Sequence, residues 1–249
     1  MKNATISFII NLYTNNLMNR RIAYYIKLIV VLLFCSTSCS TKKINISSKI
    51  ESEKYFNVLR ISKNEMDFGV SNEKPEDSDF YVNSNFFNKE RNAIGLVVIN
   101  KLRYSNRRAG GGFFYVVNNK PYISNYCPPM TEFASQSILW AIKNGIKNEE
   151  LFDKSHAKKN VYRSLLGQNS EGDVIVVSSN RIGFVTIKEI IEFSEKIGVN
   201  NALLLDGGTS VDYKFTDSDD EITFQSIPNT IKKAMKIGQP TTYIYGNYK

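Results

Sequence analysis

The hydrophobic pattern is most regular between Thr186 and Leu205, where it predicts a helix followed by a short buried strand. Thr186 and Glu189 have the spacing of a capping box, in which each side chain bonds a free amide at the helix start. Gly198 lies where the helix should end in a left-handed residue. The next run, from Ala202 to Leu205, is short and apolar, as is typical of a covered strand. The isoleucines at helical spacing are Ile187, Ile190, Ile191 and Ile197.

Three other segments have β-rich runs around two-residue turns, the pattern of antiparallel hairpins. They are residues 94–104, 112–123 and 173–185, with turns at Asn100-Lys101, Asn118-Asn119 and Ser179-Asn180. Residues 138–146 fit either a helix or a strand, and their Asn144-Gly145 step favours a hairpin. The whole pattern predicts an α+β fold: a single domain with a mixed or mostly antiparallel sheet, built from hairpins and flanked by a few helices.

The N-terminal region has the pattern of an export signal. Arg20-Arg21 precede the apolar run 22–34, which only Lys27 interrupts, and small residues then lead to Cys39. This run is shorter than the roughly 18–20 apolar residues of a membrane-spanning helix. A cysteine in this place resembles a bacterial lipoprotein signal, which implies cleavage before Cys39 and acylation of its thiol. The alternative is an uncleaved N-terminal anchor, and both place the domain outside the cytoplasm, on the periplasmic or surface face of the envelope.

These features divide the chain into a signal at 1–38, a polar tether at 39–54 and one domain at 55–249. Met18 would begin a signal of conventional length, so we expect residues 1–17 to precede the true start. Cys127 is then the one cysteine of the mature domain, which excludes an intrachain disulfide after processing.

The charge balance argues against nucleic acid as a partner. Four of the 32 basic residues and none of the 24 acidic residues lie in the first 38 positions, which leaves 28 basic and 24 acidic residues from Cys39 onward. Nucleic-acid binding needs a concentrated basic face, and this mild excess does not indicate one.

Two polar clusters centre on side-chain amides. Asn83 and Asn85 precede the paired aromatics Phe86-Phe87, and Gln136 precedes a hydrophobic segment. Amides beside aromatic rings suit a sugar or another polar ligand. The alternative for each is structural: an Asn-rich turn capped by core phenylalanines, and an ordinary strand start. Taken alone, the first cluster favours the structural alternative and the second indicates little.

Two further clusters carry charge. Arg163 is followed by the hydroxyl of Ser164, a pair that can hold a phosphate through several hydrogen bonds, although a lone arginine is more often part of a surface ion pair. Asp206 follows the predicted buried strand and precedes two glycines, which let a backbone approach a ligand closely. An ordinary Asp-Gly turn explains the Asp206 segment equally well.

The sequence lacks the residues that several common catalytic mechanisms require. His156 is the only histidine and lies in a charged string, so a Ser-His-Asp or Cys-His device is not expected. Zinc-ligand spacing and the glycine-rich phosphate-binding motifs are absent from the sequence. Catalysis would therefore rest on carboxylates, amides, hydroxyls and arginine, with no cofactor and no metal. A divalent cation near Asp206 is chemically compatible, but no acidic ligand set accompanies it.

Taken in order, these clusters resemble the phosphodiester glycosidase family over about residues 80–245. Two departures stand out: Thr209 occupies the place of the family's third glycine, and Ile138-Leu139 that of a Gly-Pro. The matching segments are Asn83 to Phe87, Gly95 to Ile99, Gln136-Ser137, Arg163 to Gly167, Gly183 to Ile187, and Leu205 to Ser210.

The resemblance implies hydrolysis of a sugar-1-phosphodiester, with a sugar of the N-acetylglucosamine type, by a mainly carboxylate-based site. Asp206 would act at the reacting carbon as nucleophile or base, while Arg163 with Ser164 would clamp the phosphate. Glu132 and Glu171 are available as a second carboxylate, and the sequence selects neither. The remaining implied substrate contacts are Asn83, Asn85 and Gln136 to the sugar, and Gly207, Gly208, Thr209 and Ser210 in the anion pocket.

Two other classes of function remain open from the sequence. The first is a surface lipoprotein that binds glycans or envelope polymers without turnover, which the departures at Thr209 and Ile138 favour slightly. The second is a structural envelope protein, in which the Asp206 segment is only a turn.

Overall fold

The computed structural model describes residues 48–235 and 240–249. The predicted signal, Cys39 and most of the predicted tether therefore lie outside the described residues. Residues 49–52, assigned above to the tether, form a strand that pairs with the residues after Phe56. Within the described ranges, no helix is both long and apolar enough to cross a membrane.

Seventeen strands and two short α-helices make up the described part of the chain. The helices are α1 (Ile187–Lys196) and α2 (Asn229–Ala234), and short 3-10 turns span Glu149–Leu151 and Gly208–Ser210. The strands are β1 (Lys49–Ser52), β2 (Phe56–Ile61), β3 (Met66–Ser71), β4 (Phe80–Asn83), β5 (Val97–Ile99), β6 (Leu102–Ser105), β7 (Gly112–Val117), β8 (Lys120–Ser124), β9 (Phe133–Ser137), β10 (Trp140–Lys143), β11 (Ile146–Lys147), β12 (Ser164–Gln168), β13 (Val174–Ser179), β14 (Asn201–Leu204), β15 (Asp212–Thr216), β16 (Glu221–Gln225) and β17 (Tyr243–Tyr248).

The strands form three sheets within one compact unit. The first has the order β1-β2-β13-β12-β14-β10-β11, the second β16-β15-β4-β17-β3, and the third β6-β5-β9-β7-β8. Adjacent strands are antiparallel throughout the described residues. The expectation of mostly antiparallel sheets in a single domain is confirmed. The fold is nevertheless mainly β, with less helix than the predicted α+β class implies.

Most of the predicted hairpins are present. Asn100-Lys101, Asn118-Asn119 and Asn144-Gly145 each have positive φ at both residues, the conformation of type I′ turns. The predicted hairpin at residues 173–185 is wrong in its second half. β13 already has β12 on one side and β2 on the other, so residues 181–185 have no free edge to pair with.

The central strands of the first sheet are apolar on both faces because both faces are covered. Leu165 packs with Ile187 and Ile191 of α1, whereas its neighbour Leu166 packs with Tyr213 and residues from the other sheets. This alternation follows from the two-residue period of a strand. The continuous hydrophobic runs therefore reflect a sheet between two layers.

The capping box of α1 generates a prediction about stability. The Glu189 amide donates to Thr186 Oγ1 over 3.2 Å, and the Thr186 amide donates to the Glu189 carboxylate over 2.7 Å. Replacing Thr186 with alanine should lower the free energy of unfolding by about 1 kcal/mol, since the helix amide loses its acceptor. Urea denaturation measures this change. Thr186→Ser keeps the hydroxyl and should stay close to the wild type, and equal stability of all three proteins would contradict the prediction.

Candidate functional site

Asp206 lies just beyond β14, where a loop of the first sheet meets β4 of the second. Its amide donates to the Ser84 carbonyl over 3.0 Å, and its carbonyl accepts from Asn83 Nδ2 over 2.7 Å. Two residues later, the Gly208 amide donates to the Tyr162 carbonyl over 2.7 Å. The Asp206 backbone is thus fixed from two sides before any ligand binds.

The two glycines after Asp206 are required for different reasons. A Cβ at Gly207 would lie 2.8 Å from the Tyr162 carbonyl oxygen, so a side chain there has no room. Gly208 has open space around it but a φ of +64°, which L side chains rarely adopt. Thr209 is exposed, and Ser210 is buried with its hydroxyl bonded to Asp206.

The Asp206 carboxyl is largely buried, and burial raises its pKa to about 6. Hydrogen bonds from the Ser210 hydroxyl and the Gly207 amide oppose this shift, as do the positive charges of Arg91 and Lys232. Desolvation outweighs these four effects. A carboxyl with a pKa close to neutrality is suited to exchanging a proton during a reaction.

Two cationic groups near Asp206 each have a buried nitrogen without a hydrogen-bond partner among the described residues. Lys232 of α2 is completely buried, and its Nζ has no partner among the described residues. Arg91 has its guanidinium 4.2 Å from the centre of the Phe87 ring, and its Nη1 is buried and also without a partner there. Burial lowers the pKa of both groups. Because an unpaired buried donor costs free energy, this arrangement is suited to an anionic ligand that would pair both.

A second carboxylate, Asp212, is near the site but already engaged. It is 1% exposed, and its two oxygens accept from Lys74 Nζ over 3.1 Å and from the Tyr243 hydroxyl over 3.2 Å. Its backbone amide donates to Asn83 Oδ1 over 3.1 Å. Asp212 is therefore a counter-ion for Lys74 and an anchor for the loop.

The three amides that were predicted to bind sugar form hydrogen bonds that position the backbone around the site. Asn83 joins the Asp206 carbonyl to the Asp212 amide, as described above. Asn85 donates to the Gln136 carbonyl over 2.7 Å, and its oxygen accepts from three hydroxyls, those of Ser84, Ser135 and Thr242. Gln136 uses its oxygen and both amide hydrogens on backbone groups. Each is at least 98% buried and hydrogen-bonded to the protein, and Gln136 has its capacity fully used, so the three amides act in holding the backbone around the site.

The predicted phosphate clamp is only partly assembled. Arg163 lies against Gly207, but its Nη2 donates to the carbonyls of His156 over 2.8 Å and Lys159 over 3.1 Å, and burial lowers its pKa. Its Nε is buried without a partner among the described residues. Ser164 faces the core and accepts from the Ser178 hydroxyl over 3.0 Å, so it does not reach the Asp206 loop with its side chain.

The two glutamates offered as second carboxylates are not brought to the site. Glu171 lies beyond Gln168, whereas Asp206 lies beside Ser164 at the other end of β12. Glu132 precedes β9, and it is the opposite end of β9, at Ser137, that contacts the Leu204 carbonyl. The sequence does not select Arg91 or Lys232. The positive charges of both act on the Asp206 carboxyl and lower its pKa.

A cleft of about 560 Å³ opens beside Arg91. No acidic side chain lines it among the described residues, and no cluster of His, Cys, Asp or Glu in residues 48–235 and 240–249 could hold a metal ion. Its lining includes Arg91, Arg107, Arg108, Tyr104, Thr241 and Thr242.

Comparison with known proteins shows which family the chain belongs to. A model of the phosphodiester glycosidase family matches residues 77–231, more than half of the chain and including Arg91, Asp206 and Asp212. The chain belongs to the phosphodiester glycosidase family. No curated protein sequence matches it.

Two solved structures share the fold of this family member. The zebrafish N-acetylglucosamine-1-phosphodiester alpha-N-acetylglucosaminidase catalytic domain, auto-inhibited by its pro-peptide, has a TM-score of 0.59 at 13% identity and covers 82% of this chain and 83% of that one. A hypothetical protein from Synechocystis has a TM-score of 0.52, also at 13% identity, over 81% of this chain and 61% of its own. At this identity the likeness shows the fold alone.

The raised pKa of Asp206 predicts how stability changes with pH. Between its ordinary value of 3.8 and about 6, the folded protein binds a proton that the unfolded chain releases, so this carboxyl reduces stability as pH rises through that window. Asp206→Asn should therefore be more stable than the wild type at pH 7, by about 1–3 kcal/mol, and nearly equal to it at pH 4. Urea denaturation at both pH values measures the difference.

Asp217 is a control of opposite sign. Burial raises its pKa, but backbone amides of Asp219, Ile50 and Asp220 outweigh this and leave the pKa lowered. Asp217→Asn should therefore be less stable than the wild type at pH 7, with a smaller difference near pH 3. If Asp206→Asn behaved like Asp217→Asn, the assignment of Asp206 as a desolvated carboxyl would be wrong.

Proposed function

We propose that this protein hydrolyses a sugar-1-phosphodiester, releasing the sugar and leaving a phosphomonoester on the acceptor. The observation that carries the proposal is a carboxyl of raised pKa beside two cations, Arg91 and Lys232, each with a buried nitrogen that has no hydrogen-bond partner among the described residues. The Asp206 carboxyl is suited to acting at the sugar carbon, and the two cations are suited to binding the phosphate. Membership of the phosphodiester glycosidase family supports the same reaction class.

In this proposal Arg91 and Lys232 hold the phosphate. Their free donors are buried, so a phosphate oxygen would meet them with little competition from water. Arg163 supports the loop instead, because its Nη2 is already bonded to two carbonyls beside Gly207. In this proposal Arg91 and Lys232, rather than Arg163, therefore form most of the phosphate clamp.

Asp206 acts at the sugar carbon, either as a base that activates water or as a nucleophile. With a pKa of about 6 it is mostly ionised at neutral pH, the form that both roles require. A phosphomonoester is a good leaving group, so departure does not depend on a second carboxyl acid as it does in ordinary glycosides. This agrees with the engagement of both Asp212 oxygens.

The cellular setting is also a proposal. A lipoprotein signal ending at Cys39 would attach the domain to a bacterial membrane on its outer side, where glycan phosphodiesters are available as substrates. A sugar of the N-acetylglucosamine type is the first to test, since the zebrafish protein of similar fold is named for that sugar.

Asp206→Asn tests the reaction directly. Purified protein is incubated with p-nitrophenyl- and UDP-linked sugar-1-phosphodiesters, and free sugar is followed by mass spectrometry. We expect kcat to fall by about 10²–10⁴-fold, because the amide can neither accept the proton nor attack carbon. The kcat/KM of the wild type should decline below an apparent pKa of about 6. A decline above pH 6 instead would show that Asp206 acts as an acid. Saturable sugar binding without release over a broad panel would favour the non-catalytic glycan-binding alternative.

Arg91→Gln and Lys232→Met test the phosphate clamp. Each should lower kcat/KM by about 10- to 100-fold, the equivalent of roughly 1.5–3 kcal/mol for a charge-assisted hydrogen bond. Lys232→Met should not lower the free energy of unfolding, because the desolvation of this buried charge outweighs its attraction to Asp212 and Asp206.

Arg163→Gln is the matched control for Arg91→Gln. Isothermal titration of inorganic phosphate should show weaker binding for Arg91→Gln than for Arg163→Gln. The reverse order would return the clamp to Arg163.

A further inference from the structure

The cleft beside Arg91 contains more positive charge than one phosphate needs. Arg107 and Arg108 line it together with Arg91, and its described lining contains no carboxylate to neutralise them. Three like charges around one cleft repel each other and focus a positive potential into it. The cost of holding them there is offset when an anion enters.

The segment that carries these two arginines is fixed from below by Gln136. The Gln136 oxygen accepts from the amides of Arg108 and Leu96, each over 3.0 Å. Its nitrogen donates to the carbonyls of Arg108 over 2.8 Å and Gly110 over 2.9 Å. A fully buried side chain thus uses three of its four hydrogen bonds to hold an exposed, arginine-bearing loop at the cleft.

The Arg107 side chain has its own support. Its guanidinium lies 4.8 Å from the centre of the Phe113 ring, a cation–π contact that restricts where the charge can lie. Less side-chain freedom is then lost when an anion binds. Tyr104, which is 55% exposed and lines the same cleft, offers an aromatic surface beside the charges.

Arg91 and Thr242 connect the cleft to Asp206. Arg91 belongs to both, since it lines the cleft and its charge acts on the Asp206 carboxyl. Thr242 also lines the cleft, and its hydroxyl bonds the Ser84 hydroxyl over 3.0 Å. The Ser84 carbonyl in turn accepts from the Asp206 amide. A substrate whose phosphate meets Arg91 would therefore extend its acceptor portion toward Arg107 and Arg108.

We infer that Arg107 and Arg108 bind a second phosphate group on the acceptor side of the substrate. The inference rests on the proposed function for the orientation of the substrate, and it narrows the substrate class to compounds with at least two phosphates. Such a group has two sources: the pyrophosphate link of a nucleoside diphosphate sugar, or the next phosphodiester along a polymer. Arginine suits either, because its planar donors match phosphate oxygens in pairs.

The test compares three substrates with the same sugar. One has a single phosphate and a methyl acceptor, one is the UDP-sugar, and one has two consecutive glycerol phosphodiesters. Arg107→Gln and Arg108→Gln should lower kcat/KM about tenfold for at least one two-phosphate substrate, and less than twofold for the methyl compound. Arg103→Gln is the matched control, since Arg103 is exposed on the neighbouring β6 but does not line the cleft.

The substrate that responds identifies the source. A loss confined to the UDP-sugar supports a pyrophosphate link, and a loss confined to the glycerol compound supports a polymer. Equal losses for all three substrates, or losses no greater than those of Arg103→Gln, would overturn the inference while leaving the proposed hydrolysis intact.

Calorimetry separates this inference from the proposed function. Inorganic pyrophosphate should bind the wild type at least tenfold more tightly than inorganic phosphate does, and the Arg107→Gln and Arg108→Gln variants should lose that preference. This result would support the second phosphate site even if no sugar were released. An unchanged preference in both variants would exclude the site whether or not the protein hydrolyses its substrates.

Discussion

The Asn83 side chain joins the two loops on which the site depends, because it donates to the Asp206 carbonyl and accepts from the Asp212 amide. Asn85 and Gln136 do the same for neighbouring loops, with their hydrogen bonds spent on the protein. Buried amides that are fully satisfied hold a backbone in one arrangement, whereas a partly satisfied amide would cost stability. The Asp206 carboxyl therefore occupies a loop that is held by buried polar bonds rather than by apolar packing alone.

These buried hydrogen bonds hold the loop in place although nearby charges weaken the fold. Arg91 and Lys232 have buried donors without partners in the described residues, and Asp206 is desolvated enough to raise its pKa. None of these features helps the empty protein to fold. In the proposed function they become favourable when a phosphate pairs with the cations and the carboxyl meets the sugar carbon, as in a preorganised site.

The sequence predicts those parts of the fold that local patterns determine. The capping box at Thr186 and the type I′ turns follow from residue type and spacing. The hairpin at 173–185 fails because the pairing of β13 with β2 is non-local and leaves no free edge. At the candidate site, the sequence selects Asp206 by its place after a buried strand. It does not select Arg91 or Lys232, because their importance lies in burial without a partner, and neither residue belongs to a motif.

The central claim is that one phosphate pairs the cations that act on Asp206. Its most direct test is a ¹³C NMR titration of the Asp206 carboxyl with and without inorganic phosphate. Arg91 and Lys232 lower the pKa of this carboxyl from what burial alone would impose. A bound anion cancels that effect, so the account predicts a pKa of about 6 in the free protein and a higher value in saturating phosphate. A pKa near 4, or one that phosphate leaves unchanged, would contradict the account.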